Sequence, residues 1–226
     1  MTKVGINGFG RIGRLILRAL LENYKDKIQV VGINDLGSIE TNAHLIKYDS
    51  THGTLNQNIK ISSDGFKLAN QNIKVFAERD PANIPWGKIG ADVVLECTGL
   101  FLNKETAGKH IKAGAKKVII SAPAKDVDAT IVQGVNDHLL NSKHQIISNG
   151  SCTTNCLAPV AMIIDKHIGI KSGFMTTIHS FTGDQRTIDQ SHQDLRRART
   201  ASAAMIPTST GAAKALSLVL PNLKGK

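Results

Sequence analysis

The chain has 226 residues, 41% of them hydrophobic and 20% charged, with 28 basic against 18 acidic side chains and a net charge of +10. These values suit a globular chain with room for one large domain or two modest ones, and exclude collagen-like, coiled-coil and disordered classes. The basic surplus can attract nucleic acid, but it serves phosphorylated metabolites and dinucleotides equally well.

From the first residue, Met1-Thr2-Lys3-Val4-Gly5 enters a strand pattern, leaving no space for a signal peptide. No apolar run approaches the roughly 20 residues that cross a bilayer. A cytoplasmic location without membrane association is therefore expected. Lys3 to Asn7 reads as a short buried strand and runs into Gly8-Phe9-Gly10-Arg11-Ile12-Gly13, a G-x-G-x-x-G. A helix is predicted next, with Ile12, Leu15, Ile16, Ala19 and Leu20 on its apolar face. Gln29 to Asp35 is a second strand ending in an acid, 22 residues beyond Gly13.

The glycine pattern alone is a weak signal. Between a strand and a helix it gains meaning, because the turn and the helix N-terminus can present N–H groups to a pyrophosphate. An acid at the position of Asp35 accepts hydrogen bonds from the adenosine ribose. A glycine-rich turn without a ligand is the alternative.

Ser50 to Trp86 carries β-like patches at Phe66-Lys67-Leu68 and Ile73-Lys74-Val75-Phe76 and is predicted to be a hairpin insertion in the sheet. Ala91 to Cys97 is a buried strand ending at Thr98-Gly99, with Cys97 assigned to the core. A helix is expected over Lys104–Ala113, then a strand over Lys117–Ser121 ending at Ala122-Pro123. Small residues at strand ends line the ligand crevice of a doubly wound sheet, so Thr98, Gly99, Ser121 and Ala122 are cofactor-side candidates. His144 to Ser148 is a further strand, and Asn149-Gly150 a turn.

Two of the three cysteines fall in Ser151-Cys152-Thr153-Thr154-Asn155-Cys156. A metal site, a disulfide, a structural pair and a nucleophile all begin with such a stretch. A metal site would need a second Cys/His cluster, and none is present at ligand spacing, so no metal is expected. Ser151 is a plausible N-cap for a helix through Leu157, Val160, Met162 and Ile163, which Pro159 should kink or split. Cys152 would then sit in the first turn, where the dipole favours a thiolate, and Cys156 one turn inward would be packing. Making a thiol mostly thiolate at neutral pH needs about 2.7 kcal/mol, and a helix terminus supplies about 0.3–1 kcal/mol. A partner is needed. His179 alone follows a strand-like run, Gly173 to Ile178, and precedes a polar loop, Ser180 to Asp184. A lone histidine is also commonly structural.

The densest basic group is Arg196-Arg197-Ala198-Arg199. With two Tyr, six Phe and one Trp, the chain lacks the aromatic partners of a base-stacking surface, so nucleic acid is not the expected main partner. Pro207 to Gly211 then leads into a helical Ala212 to Leu216, an arrangement that serves as an anion site or as a simple cap.

Together, Gly8 to Gly13, Ser151 to Pro159, Thr176 to Ser180, Asp194 to Arg199 and Pro207 to Ala215 resemble phosphorylating glyceraldehyde-3-phosphate dehydrogenases of bacterial type. The resemblance runs the whole length of the chain. It implies an α/β fold: a Rossmann-type doubly wound dinucleotide-binding domain over residues 1–150, then the first part of an α+β catalytic domain over residues 151–226. The implied reaction oxidises D-glyceraldehyde 3-phosphate with NAD and inorganic phosphate, through a thiohemiacetal and a thioester on Cys152 with His179 as base. Cofactor contacts are implied at Asn7, Gly8, Phe9, Gly10, Arg11, Ile12, Gly13, Asp35 and Arg79. Substrate and phosphate contacts are implied at Ser151, Thr153, Thr182, Asp184, Arg197, Thr210 and Gly211. A homotetramer is also implied.

Gly150 and Phe181 depart from the alanine and tyrosine of the family pattern. That pattern also continues beyond Lys226, so the catalytic domain is expected to be incomplete here, and a chain ending at Lys226 is expected to fold poorly or be inactive. Asp35 disfavours a 2′-phosphate, whereas Gly37-Ser38 and Gln190-Ser191 resemble relatives that also take NADP. NAD preference with measurable NADP use is expected. Erythrose-4-phosphate dehydrogenase and a nonenzymatic RNA-associated protein are the rival readings.

Overall fold

Apolar, β-branched runs build one sheet in the computed structural model, which describes residues 1–226. Its strands are β1 (Thr2–Asn7), β2 (Ile28–Asn34), β5 (Ile59–Ser62), β6 (Gly65–Leu68), β7 (Gln71–Phe76), β8 (Val93–Glu96), β9 (Lys117–Ile120), β10 (Ala129–Thr130) and β11 (Ile146–Ser148). A separate small hairpin joins β3 (Tyr48–Asp49) to β4 (Gly53–Thr54). The spatial order is β10-β11-β9-β8-β1-β2-β7-β6-β5. Neighbours from β10 through β7 run parallel, and β7, β6 and β5 form an antiparallel meander. The expected hairpin insertion is therefore an edge of the main sheet.

Burial on both faces explains the continuous apolar runs. Val30 joins a cluster with Val4, Ile6, Phe9, Leu17, Ile33, Phe66 and Leu68. The next residue, Val31, points the other way, into a cluster with Ile84, Trp86, Ala91, Val94 and Ala115. The ring of Trp86 lies across β1 so closely that a Cβ on Gly5 would fall 2.5 Å from it. Glycine is what lets the ring and the strand pack.

Helix α1 (Arg11–Asn23) buries Gly13, Leu17, Arg18 and Leu21, while Ile12 is exposed. This corrects the predicted apolar face. An arginine can occupy the core face because its guanidinium finds the carbonyls of Ile46, Lys47 and Gly53. Two of those belong to the end of α2 (Ile39–Lys47), where carbonyls lack intrahelical donors. Gly13 faces the sheet because a Cβ there would meet the Gly8 carbonyl at 2.2 Å.

Helix α3 (Lys104–Lys112) matches its expected span. Between β1 and β8 the chain switches direction across the sheet, and the crevice at the carboxyl ends of these strands is where open parallel sheets bind ligands.

Residues 151–226 supply α4 (Cys152–His167), α5 (Ala212–Val219) and no strand. The strand expected over Gly173–Ile178 is not formed: beyond the Gly173 N–H, which donates to the Lys226 carbonyl oxygen, the segment makes no backbone hydrogen bond, and Phe174 and Ile178 are fully exposed. A pleated run cannot remain a strand without a partner for its N–H and C=O groups. Pro159 does not split α4, so its local cost is the missing amide bond toward Asn155. Cys156 is exposed rather than packed, because α4 buries Thr154, Ala158 and Ala161 instead. No helix is long and apolar enough to cross a membrane.

Candidate active site

Strand β11 delivers the chain to Gly150, whose φ of +68° reverses it into α4. Ser151 then caps that helix, its Oγ accepting from the Thr154 N–H at 2.9 Å. Cys152 is the first helical residue, so its own N–H has no intrahelical acceptor. Its Sγ lies 3.1 Å from Nε2 of His179. The other ring nitrogen, Nδ1, sits 2.6 Å from the Ser180 carbonyl oxygen, which can only accept; Nδ1 therefore carries a hydrogen.

The electrostatics of this pair are mutual. Partial burial raises the Cys152 thiol, but the His179 hydrogen bond, the Thr153 hydroxyl and the positive ring outweigh it and hold the thiol below its ordinary value. The Ser180 carbonyl, followed by the Cys152 sulfur, pushes His179 upward. Such a pair can attack an electrophilic carbon and move one proton at Nε2. All three cysteines are free thiols. Burial pushes Cys97 up to about 12, which makes it inert, and Cys156 carries no hydrogen bond to activate it.

A second cluster lies on the segment between α4 and α5. Arg197 is ion-paired with Asp184, donates through Nε to the Thr208 hydroxyl at 2.9 Å and reaches the Ser209 carbonyl. The Arg197 guanidinium holds the Asp184 carboxyl below its usual range. His192 lies 3.4 Å from Asp184 on the far side. Asp184 and His192 border an open polar hollow of about 620 Å³ formed with Arg186, Ser191 and Gln193. Thr182 is tied instead to Gln185, and the Thr210 hydroxyl accepts from the Ala212 N–H at the start of α5. Gly211 precedes α5 with open space where a side chain would stand. No hydrogen bond joins this cluster to the Cys152–His179 pair.

The glycine turn and the strand ends enclose a cleft of about 370 Å³. Of the sequence-predicted cofactor residues, Asn7, Gly8, Gly10, Asp35, Arg79 and Thr98 line it. Phe9 does not, being a buried core side chain against Phe66. Arg11 turns away to Asp49, Ile12 is exposed, and Gly13 packs on the turn. Gly99, Ser121 and Ala122 stand outside the cleft lining. The sequence reading missed Asn34, Leu36, Glu78, Leu100 and Phe101, and Cys97, expected only in the core, also reaches the cleft lining. Asn34 carried a visible signal, a polar residue ending an apolar strand just before Asp35.

A dinucleotide fits this cleft. No side chain caps α1, so its first-turn N–H groups are free for an acidic ligand. A Cβ on Gly10 would meet nothing within 4 Å, leaving the turn open to close approach. Gly8, at φ +87°, would by contrast drive a Cβ to 2.7 Å from the Thr98 nitrogen. Asp35 holds the turn by accepting from the Phe9 and Gly37 N–H groups at 2.8 and 2.9 Å, with lone pairs left on the cleft side.

Comparison with known proteins agrees with this arrangement. Residues 2–104 match the NAD-binding domain of glyceraldehyde 3-phosphate dehydrogenase, and residues 151–226 match its C-terminal domain. The chain is 59% identical over 226 residues to glyceraldehyde-3-phosphate dehydrogenase of Zymomonas mobilis, 57% over 226 to that of Geobacillus stearothermophilus, and 55% over 225 to that of Xanthobacter flavus. In each comparison all of this chain is covered, against 67% of the relative. The chain belongs to the glyceraldehyde-3-phosphate dehydrogenase family, and residues 2–104 are its NAD-binding domain.

Proposed function

We propose that this chain carries the phosphorylating oxidation of D-glyceraldehyde 3-phosphate to 1,3-bisphosphoglycerate, with Cys152 as nucleophile and His179 as acid and base. The observation that carries the reading is the 3.1 Å contact between Cys152 Sγ and His179 Nε2 at the start of a capped helix. The thiolate forms a bond to the aldehyde carbon, and the carbonyl electrons move onto oxygen, which takes the Nε2 proton. The free Cys152 N–H supports that oxygen as charge develops. NAD, when bound, accepts the hydride that leaves this carbon. The hydroxyl proton returns to Nε2 as the thioester forms. An oxygen of inorganic phosphate then attacks the acyl carbon, and Cys152 departs as thiolate.

Arg197, with the Ser151, Thr153, Thr182, Asp184, Thr210 and Gly211 positions, is assigned to anionic groups of the substrate and of phosphate. We assign Asn7, Gly8, Gly10, Asp35, Arg79 and Thr98, which line the cleft, to NAD, and the uncharged Gly37-Ser38 pair supports slower use of NADP. We divide the protein at 150/151 into cofactor and catalytic parts and assign a cytoplasmic homotetramer on the family resemblance.

The test is NADH formation from glyceraldehyde 3-phosphate, with and without inorganic phosphate. Stoichiometric iodoacetamide labelling of Cys152 should abolish it. Phosphate-independent turnover, or a greater rate on erythrose 4-phosphate, would reject the assignment. Salt-sensitive RNA binding without dehydrogenase activity would do so in favour of a binding protein.

A further inference from the structure

Beneath the cleft lies a buried polar network that the proposed chemistry does not use. At its centre is Glu96, 1% exposed, ending β8 directly beside Asn7 of β1, its register partner. Two hydrogen-bond chains converge on this carboxylate. The first starts at Trp86, whose indole N–H is a donor only; it donates to His110 Nδ1 at 2.9 Å. His110 therefore keeps its hydrogen on Nε2 and donates it to Glu96 Oε2 at 3.0 Å. The second starts at the backbone N–H of Glu78, also a donor only, which gives to Asn34 Oδ1 at 2.8 Å. Asn34 Nδ2 then donates to Asn7 Oδ1 at 2.8 Å, and Asn7 Nδ2 to Glu96 Oε2 at 2.6 Å. The other carboxylate oxygen accepts from both the N–H (2.7 Å) and the hydroxyl of Thr98.

Neither chain can be reversed. Flipping Asn7 would set two amide nitrogens against each other at Asn34, and flipping Asn34 would then oppose the Glu78 N–H. A changed tautomer of His110 would oppose the Trp86 N–H. The group at position 96 must therefore accept on both oxygens, which an ionised carboxylate does and a carboxamide does not. A buried group left facing unmatched donors is costly, so the network is held as a unit.

Glu96 also joins the two halves of the cleft. Through Asn7 it fixes the strand end that feeds the glycine turn, and through Thr98 it fixes the opposite wall. Asn7 and Thr98 both line the cleft, and Gly8 packs on the Thr98 backbone.

We propose that Glu96 is a positioning residue for the dinucleotide, clamping the glycine turn to the 97–101 loop, with His110 and Trp86 fixing the direction of its hydrogen bonds. This rests on the NAD-binding reading of the cleft. Binding of NAD⁺ to the 226-residue chain is measured by calorimetry for the parent, Glu96→Gln and Glu96→Asp. Trp86, the only tryptophan, supplies a fluorescence signal at the far end of the network.

Glu96→Gln keeps the shape but presents a donor to Asn7 and His110. Its Kd for NAD⁺ is expected to rise tenfold or more in the folded protein, with a shift in Trp86 emission. Glu96→Asp keeps an acceptor-only group and should lie between parent and Gln, at least threefold above the parent. Should Glu96→Gln fail to fold, Glu96→Asp decides on the same threefold criterion. A merely structural carboxylate would lower the melting temperature and leave the Kd unchanged. Binding within threefold of the parent by whichever of these variants decides, or Glu96→Asp no tighter than Glu96→Gln, overturns the assignment while leaving the cleft reading intact. A parent chain that is folded by circular dichroism and binds no NAD⁺ overturns both.

Discussion

His179 Nε2 stands 3.1 Å from Cys152 Sγ, while Nδ1 of the same ring is anchored on the Ser180 carbonyl. The thiol is held down and the imidazole held up. Between the two values the pair is thiolate and imidazolium, and below the lower one the sulfur is protonated. Iodoacetamide should therefore label Cys152 at pH values well under the ordinary thiol range near 8.5. His179→Ala should move that profile upward and slow labelling at pH 7 by about tenfold, because a free thiol is only a few per cent ionised there. An unshifted profile would remove His179 as the thiolate's partner. Cys97 should remain unlabelled throughout.

The cap on α4 offers a test of stability rather than reactivity. Ser151→Ala leaves the Thr154 N–H without its acceptor. A loss of about 1 kcal/mol is expected, read by denaturant unfolding. No change in stability would mean that the Ser151 bond does not hold the helix start.

Three glycines in one motif should respond differently to alanine. Gly8→Ala must place a Cβ at φ +87° and 2.7 Å from the Thr98 nitrogen, and should cost more than 1 kcal/mol. Gly13→Ala meets the Gly8 carbonyl at 2.2 Å and should displace α1. Gly10→Ala meets nothing, so its melting temperature should match the parent while NAD⁺ affinity falls. Thermal melts paired with calorimetry separate the three. Equal affinity for Gly10→Ala would show that the ligand does not approach that atom.

Arg197 contributes a planar guanidinium matched with Thr208 and with Asp184, which lines the polar hollow. A charge-assisted bond to an anion is worth about 1.5–3 kcal/mol. Arg197→Ala should raise the KM for phosphate or aldehyde about tenfold or more with a smaller effect on labelling of Cys152. Unchanged KM for both would remove Arg197 from the substrate site.

Asp35 bears on cofactor choice. Asp35→Asn removes the charge while an oxygen can still accept from Phe9, so the NADP to NAD ratio of kcat/KM should rise at least tenfold. That magnitude is about the 1.4 kcal/mol that separates tenfold rates. A constant ratio would mean that the charge at position 35 does not select the cofactor.

Strands β1, β2, β8, β9 and β11 were legible because each is an apolar run bounded by turn residues, and burial on two faces leaves that mark; the exposed β5 and the two-residue β10 carry no such run and were not expected. The nucleotide turn was legible for a related reason: glycine is required at Gly8 by backbone conformation and at Gly13 by close packing. The core face of α1 was misread because Arg18 lies inward, matched by carbonyls from α2 and Gly53 that no local pattern announces. Glu96 gave a signal, a carboxylate within Val93-Val94-Leu95-Glu96-Cys97, but only the two donors of Thr98 are local, and those of Asn7 and His110 come from elsewhere in the chain.

The sequence by itself determined the order of the elements, the glycine turn and the presence of a cysteine at a helix start, because these depend on neighbours a few residues away. Tertiary structure alone decided that His179 reaches Cys152, that Phe9 belongs to the core while Asn34 faces the cleft, and that Cys156 is exposed. Those outcomes depend on which surfaces meet in space. A hydrogen bond spanning 27 residues, or a buried carboxylate matched from two directions, exists only once the chain has closed around it.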